Sequence, residues 1–336
     1  MRLRRSLTGA VALAASAAAA HAADLQPVLK GPAAAEPQQA TGYLEIDGGW
    51  AGTRSDTTSC NAAGCSFLSE RFDGWALGGA GRANYWIDRD ASVQLDAQGE
   101  GTSYDAGSSG HVSNHSFLVG GHWSWRRPQF LLGLFAAAGD AGGGLSGGLS
   151  GGLGPSARHG VLGAEAQWYW NVLTLYLQGG YDTTFAHVST GTDDIHAWFV
   201  RATGRHYVTP SFLIELTGLY ANGDISFNPA SLNPGDPGSL GFQTWLWQAK
   251  TEWRLPTAPI SMFVKYQGSE TRHDTHVFGN GDTSSVKVRD NRVLVGLKLH
   301  MGDRSLQGTD RGGATLDIID PLSVPTSPLM VRGGGT

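Results

Sequence analysis

After residue 22 the chain has no apolar run of the roughly twenty residues that a helix needs to span a bilayer. A helical membrane protein is therefore excluded. Cysteine is almost missing, with only two residues, Cys60 and Cys65. That leaves no ligand set at zinc-like spacing. Charged residues make up only 16% of the chain, and no block of basic residues occurs. The electrostatic footprint of a nucleic-acid-binding protein is missing with them. No phosphate-binding loop or dinucleotide fingerprint is present, and the isolated Gly-x-Gly patterns belong to a Gly-rich chain. The sequence implies no cofactor.

What is present is 49 Gly, 11 Trp and 40% hydrophobic residues. Gly lets strands bend and pack closely, and aromatics favour membrane interfaces. The N-terminus reads as a secretory signal. Arg2, Arg4 and Arg5 form its positive region, Leu7 to Ala20 its apolar stretch, and Ala20-His21-Ala22 a small-x-small cleavage box. The apolar stretch is about fourteen residues, too short for a membrane anchor. Formal net charge is −5, and removal of the signal, with three Arg and no acids, leaves about −8. Residues 23–41 carry Pro27, Pro32 and Pro37 and read as a flexible periplasmic lead-in.

From Gly42 to Met301 the side chains alternate with a period of two. Strands are expected at about 42–52, 74–87, 91–104, 112–126, 129–141, 158–170, 172–185, 195–208, 211–222, 241–255, 259–269 and 288–301. The third is the clearest: Val93, Leu95 and Ala97 alternate with Gln94, Asp96, Gln98 and Glu100. One face is uniformly apolar and the other carries charges of both signs. No helix is expected to cover the apolar face. That inverts a water-soluble barrel and fits lipid outside with polar groups inside. An open sheet is excluded in lipid because its edge amides would go unsatisfied. The expected fold is all-β, an antiparallel up-and-down transmembrane β-barrel of about twelve strands, with ten or fourteen as alternatives, in the outer membrane of a Gram-negative bacterium.

The connections orient it. Asp88-Arg89-Asp90, Arg127-Pro128, Asn171, Thr209-Pro210 and Pro256 to Ala258 are short and belong to the periplasmic side. Long loops are expected outside, around 53–73, 105–111, 142–157, 186–194, 223–240 and 270–287. Tyr43, Tyr85, Trp86, Trp123, Trp125, Phe130, Trp168, Trp170, Tyr207, Phe212 and Trp253 fall at periplasmic strand ends. Trp50, Trp75, Tyr104, Tyr181, Trp198, Tyr220, Trp245 and Tyr266 fall towards the outer ends, so two aromatic girdles are expected. In an oxidising compartment Cys60 and Cys65 form a small disulfide ring in the first outer loop, the alternative being two free thiols. Gly142 to Gly154 repeats Gly-Gly-Leu-Ser and reads as a flexible loop, or as a membrane-inserting glycine hairpin.

The cleavage region Ala20 to Asp24, the Pro-containing lead-in, the opening strand Gly42 to Trp50 (GYLEIDGGW) and the closing strand Val293 to His300 (VLVGLKLH) together resemble alphaproteobacterial outer-membrane immunogenic proteins. These belong to the opacity-porin-like barrels, whose members usually have about eight strands. The resemblance implies insertion by the barrel-assembly machinery, with Gly296, Leu299 and Met301 as the insertion signal in the last strand. The usual terminal Phe is missing. Instead residues 302–336 follow, with Asp/Gly-rich and Pro-rich parts and one apolar patch, Leu316 to Ile319. This tail reads as disordered and periplasmic, or as a segment that re-enters the lumen or contacts peptidoglycan.

No catalytic constellation emerges, and the chain reads as a non-enzyme. His122 and Ser124 lie two apart on one face, which is strand geometry. His273-Asp274-His276 in an outer loop lacks further ligands for a metal. What remains is the lumen, lined by Arg82, Asp96, Glu100, Glu165, Arg201, Arg205, Glu215, Lys250, Glu252, Lys265 and Arg292. These groups either line a narrow pore or pair across the barrel and close it. The expected function is a narrow, weakly selective porin-like channel for ions or small solutes. The alternatives are a non-conducting structural or surface-interaction protein and, more remotely, a barrel enzyme acting on lipid. Expected partners are outer-membrane lipid and lipopolysaccharide, the assembly machinery, small solutes or ions, and peptidoglycan at the tail, with no nucleic acid. Glu252→Gln is expected to shift the ion selectivity of a conducting lumen in bilayer recordings, and to leave recordings of a closed one silent.

Overall fold

The structure, a computed structural model, describes residues 39–105, 111–146, 156–188, 191–226, 238–273, 276–277, 283–302 and 305–318. The signal at 1–22, the lead-in before Gln39, most of the Gly-Gly-Leu-Ser repeat and residues 319–336 lie outside the described residues.

Twelve long strands follow one another: β1 (Ala40–Asn61), β2 (Gly64–Trp86), β3 (Ala91–Asp105), β4 (His111–Arg126), β5 (Phe130–Ser146), β6 (Ser156–Trp170), β7 (Leu173–Val188), β8 (Gly191–Thr209), β9 (Phe212–Ser226), β10 (Ser239–Arg254), β11 (Ile260–His273) and β12 (Thr283–Met301). A two-residue strand, His276–Val277, pairs with β12 between the last two. Each long strand is antiparallel to its sequence neighbour, and β1 pairs with β12 from Gly42↔Met301 to Cys60↔Thr283. The sheet is a closed barrel. Closure gives every transmembrane amide a partner, as lipid demands.

Burial is inverted relative to a water-soluble protein. Leu95, Val200 and Val295 are 67%, 51% and 59% exposed, whereas Arg201 and Glu252 are 3% and 2% exposed. The apolar face is the lipid face. No described helix is long and apolar enough to cross a membrane.

The inner face is not polar throughout. Leu118, Phe135, Val161, Phe199, Leu219 and Leu246 form an apolar cluster inside the barrel. Four aromatics expected in the girdles also turn inward: Tyr43, Trp86, Tyr104 and Tyr207 are all buried. Their parity explains it. Tyr43 shares a face with Glu45, Trp86 with Arg82, Tyr104 with Thr102, and Tyr207 with Arg205. Trp123, Trp168, Trp170, Trp198, Trp245 and Trp253 do face outward.

The first outer loop is corrected most. Residues 53–73 continue the β1–β2 ladder as far as Asn61↔Gly64. Only Ala62 and Ala63 lie between the strands. The Asn61 Oδ1 accepts from the amides of Ala63 and Gly64 at 2.9 and 3.1 Å, and Gly64 sits at φ +139°, a backbone region that suits glycine. Cys60 and Cys65 are joined by a disulfide across this ladder, on directly opposed residues. A strand of 22 residues such as β1 is about 70 Å long, far beyond an apolar band about 25 Å tall. Above that band both faces are wet, so no alternation marks the strand. The expected loop at 186–194 likewise shrinks to the two residues between β7 and β8.

Val200→Arg places a guanidinium on the lipid face and is expected to lower the stability of the bilayer-folded barrel by about 2–4 kcal/mol. Urea titration from vesicles measures it. An unchanged midpoint would mean that β8 does not present this face to lipid.

Candidate functional site

The sequence-predicted lumen residues Arg82, Asp96, Glu100, Glu165, Arg201, Arg205, Glu215, Lys250, Glu252, Lys265 and Arg292 all project into the barrel. They do not form one pore lining. They separate into charge clusters, and a segment of the tail lies among them.

The first cluster spans β1, β10, β11 and β12. Lys250 Nζ lies 3.1 Å from Glu252 and 3.7 Å from Glu45. Lys298 Nζ lies 3.0 and 3.2 Å from the same two carboxylates. Lys265 donates to Asp47 at 2.7 Å. Ser261 donates to Glu252 at 2.6 Å. Three ammoniums face three carboxylates, all on the wall itself. Glu100 on β3 pairs across the lumen with Arg292 on β12.

The second cluster contains His122. Its Nε2 is 2.7 Å from Asp96 and its Nδ1 2.8 Å from Glu165. Tyr176 donates to Glu165 at 2.6 Å, and Gln94 donates to Asp96 at 2.8 Å. Ser124 bonds to Ser92 at 2.8 Å. His122 and Ser124 share a face but have different partners, so they do not form a nucleophile–base pair.

The third cluster is where the tail enters. Residues 305–318 do not match a disordered periplasmic tail. Ser305 caps a short helix, α1 (Leu306–Gly312), by accepting from the Gly308 amide at 2.9 Å. The helix lies at the short-turn end of the barrel. Gln307 donates to the Asn171 carbonyl at 2.8 Å, its amide donates to the Pro210 carbonyl at 3.2 Å, and Arg311 also reaches Asn171. The inward aromatics hold it: Trp86 Nε1 donates to the Gly312 carbonyl at 2.7 Å, and Tyr207 packs on Leu306.

Beyond α1 the chain is extended and runs into the lumen. Leu316 packs on Leu131, Tyr169 and Tyr176. Ile318 fills the inner apolar cluster, against Leu118, Phe135 and Phe199. Gly120 leaves room for it, since a Cβ there would lie 2.1 Å from Ile318 Cδ1. Wall side chains also bond the tail backbone. Gln94 donates to the Leu316 carbonyl at 2.7 Å and accepts from its amide at 3.2 Å; Gln178 donates to the Asp317 carbonyl at 2.7 Å.

Two tail carboxylates meet the arginines. Asp317 contacts Arg82, Arg201 at 2.8 Å and Arg205 at 3.0 Å. Asp310 contacts Arg205 at 2.7 Å, and Glu215 on the wall accepts from the same guanidinium at 2.8 Å. Asp310 and Asp317 are site residues that the strand pattern does not single out. The apolar patch at Leu316 to Ile319 was the available signal, because it brackets Asp317. What remains of the lumen beside the tail includes a cavity of about 210 Å³, lined by Glu45, Asp47, Glu100, Lys250 and Arg82 among others.

Gly296 faces inward at a close approach, where a Cβ would lie 2.3 Å from the Phe263 ring, while Leu299 and Met301 face lipid. His273 ends β11 rather than sitting in a loop, and Asp274 lies outside the described residues. No group of three potential metal ligands occurs among the described residues.

The fold and the lumen define an outer-membrane-type β-barrel carrying a folded C-terminal plug. No protein-family profile and no curated protein sequence matches the chain. Solved structures similar to it include a Pseudomonas aeruginosa FadL homologue, with 10% identity, TM-score 0.39, and 79% of this chain and 90% of that one covered. The Pseudomonas putida toluene transporter TodX shows 8% identity, TM-score 0.39, and 78% and 90% coverage. The outer membrane protease OmpT from Escherichia coli shows 10% identity, TM-score 0.36, and 78% and 97% coverage. One of these is a transporter and another a protease, and no role is carried from them to this chain.

Arg205→Gln leaves Asp310, Glu215 and Asp317 short of a counter-charge and is expected to cost about 3–5 kcal/mol. Denaturant titration measures the loss, and trypsin should cut the tail at Arg311 earlier than in the parent protein. Arg205→Lys should recover only part, because a compact ammonium cannot span Glu215, Asp310 and Asp317 at once as the planar guanidinium does. Parent-like behaviour of both variants would show that Arg205 does not hold the tail.

Proposed function

We propose that the protein is a narrow channel of the outer membrane, for ions or small polar solutes, held shut in this conformation by its own C-terminal segment. It reaches the membrane by its signal peptide and the assembly machinery, using Gly296, Leu299 and Met301, and sits among lipid and lipopolysaccharide. One observation carries the reading: beside the wall's own ion pairs and apolar cluster, the obstruction inside the barrel includes a separable segment held by side-chain contacts. Residues 305–318 are anchored by Asp310, Asp317, Leu316 and Ile318, and their departure opens the space they fill. No strand of the barrel has to break for that to happen.

The lumen's ion pairs favour a second reading, a structural barrel that never conducts. Small barrels are largely filled by side chains, and the Lys250–Glu252–Lys298–Glu45 group is such a filling.

Planar-bilayer recording separates the two. The full chain should give rare, brief openings. Ile318→Asn removes the apolar anchor without touching an arginine and should give sustained stepwise currents. Silence from both proteins, with refolding verified, supports the structural reading and ends the channel one.

A further inference from the structure

From the charge arrangement in the lumen we infer that Arg82, Arg201 and Arg205 form a binding site for a small oxyanion, a carboxylate or phosphate, which the tail's Asp317 occupies in the closed state. The inference rests on the channel reading and names the solute class for it.

The two sides of the lumen are built differently. The lysine side is balanced by carboxylates fixed to the wall, Glu45, Asp47 and Glu252. It keeps that balance wherever the tail is. The arginine side depends on the tail for counter-charge. Arg201 has one carboxylate partner among the described residues, Asp317 at 2.8 Å; its other bond is to the neutral Gln178 at 2.9 Å. Its Nε is buried with no partner among the described residues. Arg82 has Asp317 and, at a looser 3.7 Å, Asp96, which already serves His122. Arg205 keeps only Glu215 when the tail is gone.

Withdrawal of the tail removes both Asp310 and Asp317. Three buried guanidiniums then share two wall carboxylates, one of them committed elsewhere. Burying an uncompensated charge is costly, so an anion from the water should replace the lost carboxylates. Guanidiniums favour planar, multi-oxygen acceptors that take forked hydrogen bonds. The geometry already holds such an acceptor: the two Asp317 oxygens receive Arg82 on one side and Arg201 with Arg205 on the other. Tyr176 lies beneath both Arg201 and Arg205, each guanidinium 5.4 Å from its ring, which fixes their orientation. Asp317 therefore stands in for the solute, and a solute that binds here competes with the plug. By linkage, the oxyanion shifts the population towards the open barrel.

The test uses the full chain in liposomes with Ala314→Cys, a buried position in the plug. Alkylation by a membrane-impermeant maleimide reports tail withdrawal. Millimolar succinate or inorganic phosphate should speed the reaction by about tenfold over sodium chloride of equal ionic strength, as a ligand that prefers the open state by that factor would. Arg201→Gln in the same protein should abolish the effect. Arg201→Lys, which keeps the charge and loses the fork, should retain a fraction of it and serves if the Gln variant does not refold. In bilayers, Ile318→Asn should pass anions in preference to cations, and Arg201→Gln should remove that preference. Equal alkylation in all three salts, or acceleration that survives Arg201→Gln, overturns the site. If Ile318→Asn conducts and alkylation ignores oxyanions, the site falls and the channel stands. If oxyanions free the tail but no variant conducts, the channel falls and the site stands.

Discussion

A strand that crosses lipid must leave its apolar side outside and bond every amide to another strand. Here that constraint is met by one ring of ladders, closed where Gly42 meets Met301 and Leu44 meets Leu299. The rest of the structure follows from it. Once Leu95, Val200 and Val295 are committed to lipid, the period of two sends their neighbours inward, charges included. The barrel then encloses acids and bases that its interior must neutralise. A water-filled pore can leave them solvated. A plugged one cannot, and their partners have to come from protein.

The chain does this in two ways. Glu45 and Glu252 hold Lys250 and Lys298 through wall-to-wall contacts. Such pairs contribute less to net stability than they appear to, since both partners lose water, but removing either one is expensive. The arginines use a partner that is part of a different segment. Asp317 lies 116 residues from Arg201 and 112 from Arg205 in sequence. A buried counter-ion on a tail is an arrangement that can be exchanged. A counter-ion on a strand cannot be, short of unfolding.

The sequence made the membrane wall legible because lipid writes a strict pattern. Where one face meets lipid, apolar residues recur at about every second position, and the strands could be placed from that pattern, except 129–141, which is apolar almost throughout and is marked instead by Pro128 and the flanking Gly residues. The pattern ends with the lipid. Thr53 to Asp73 is mostly polar, and its few large apolar residues, Phe67, Leu68 and Phe72, follow no alternation, so the ladder that carries the Cys60–Cys65 disulfide reads as a loop. Trp86 and Tyr207 leave the girdle for a related reason: they sit at strand ends, but their parity is that of Arg82 and Arg205. Their rings look inward and seat α1. The tail was hardest to read. Leu316 and Ile318 fit the barrel's interior, and one isolated apolar patch does not reveal a surface that another part of the chain provides. Only the inner cluster of Leu118, Phe135 and Phe199, itself hidden among charged positions, explains why Ile318 is there.

The plug's chemistry bears on how firmly it must hold. Only three residues separate it from Met301, so its effective concentration at the lumen is high. A segment held that way needs little intrinsic affinity to remain in place. Its contacts are correspondingly mixed. Ile318 and Leu316 contribute apolar burial that no small solute reproduces. Asp317, Asp310 and the bonds from Gln94 and Gln178 are ones that water or a solute can reproduce. Polar anchors lower the net gain from docking because each must be desolvated first. A plug built only of Leu and Ile in this cavity would be hard to displace. One that also depends on a carboxylate among three guanidiniums can be displaced by anything that satisfies those guanidiniums as well.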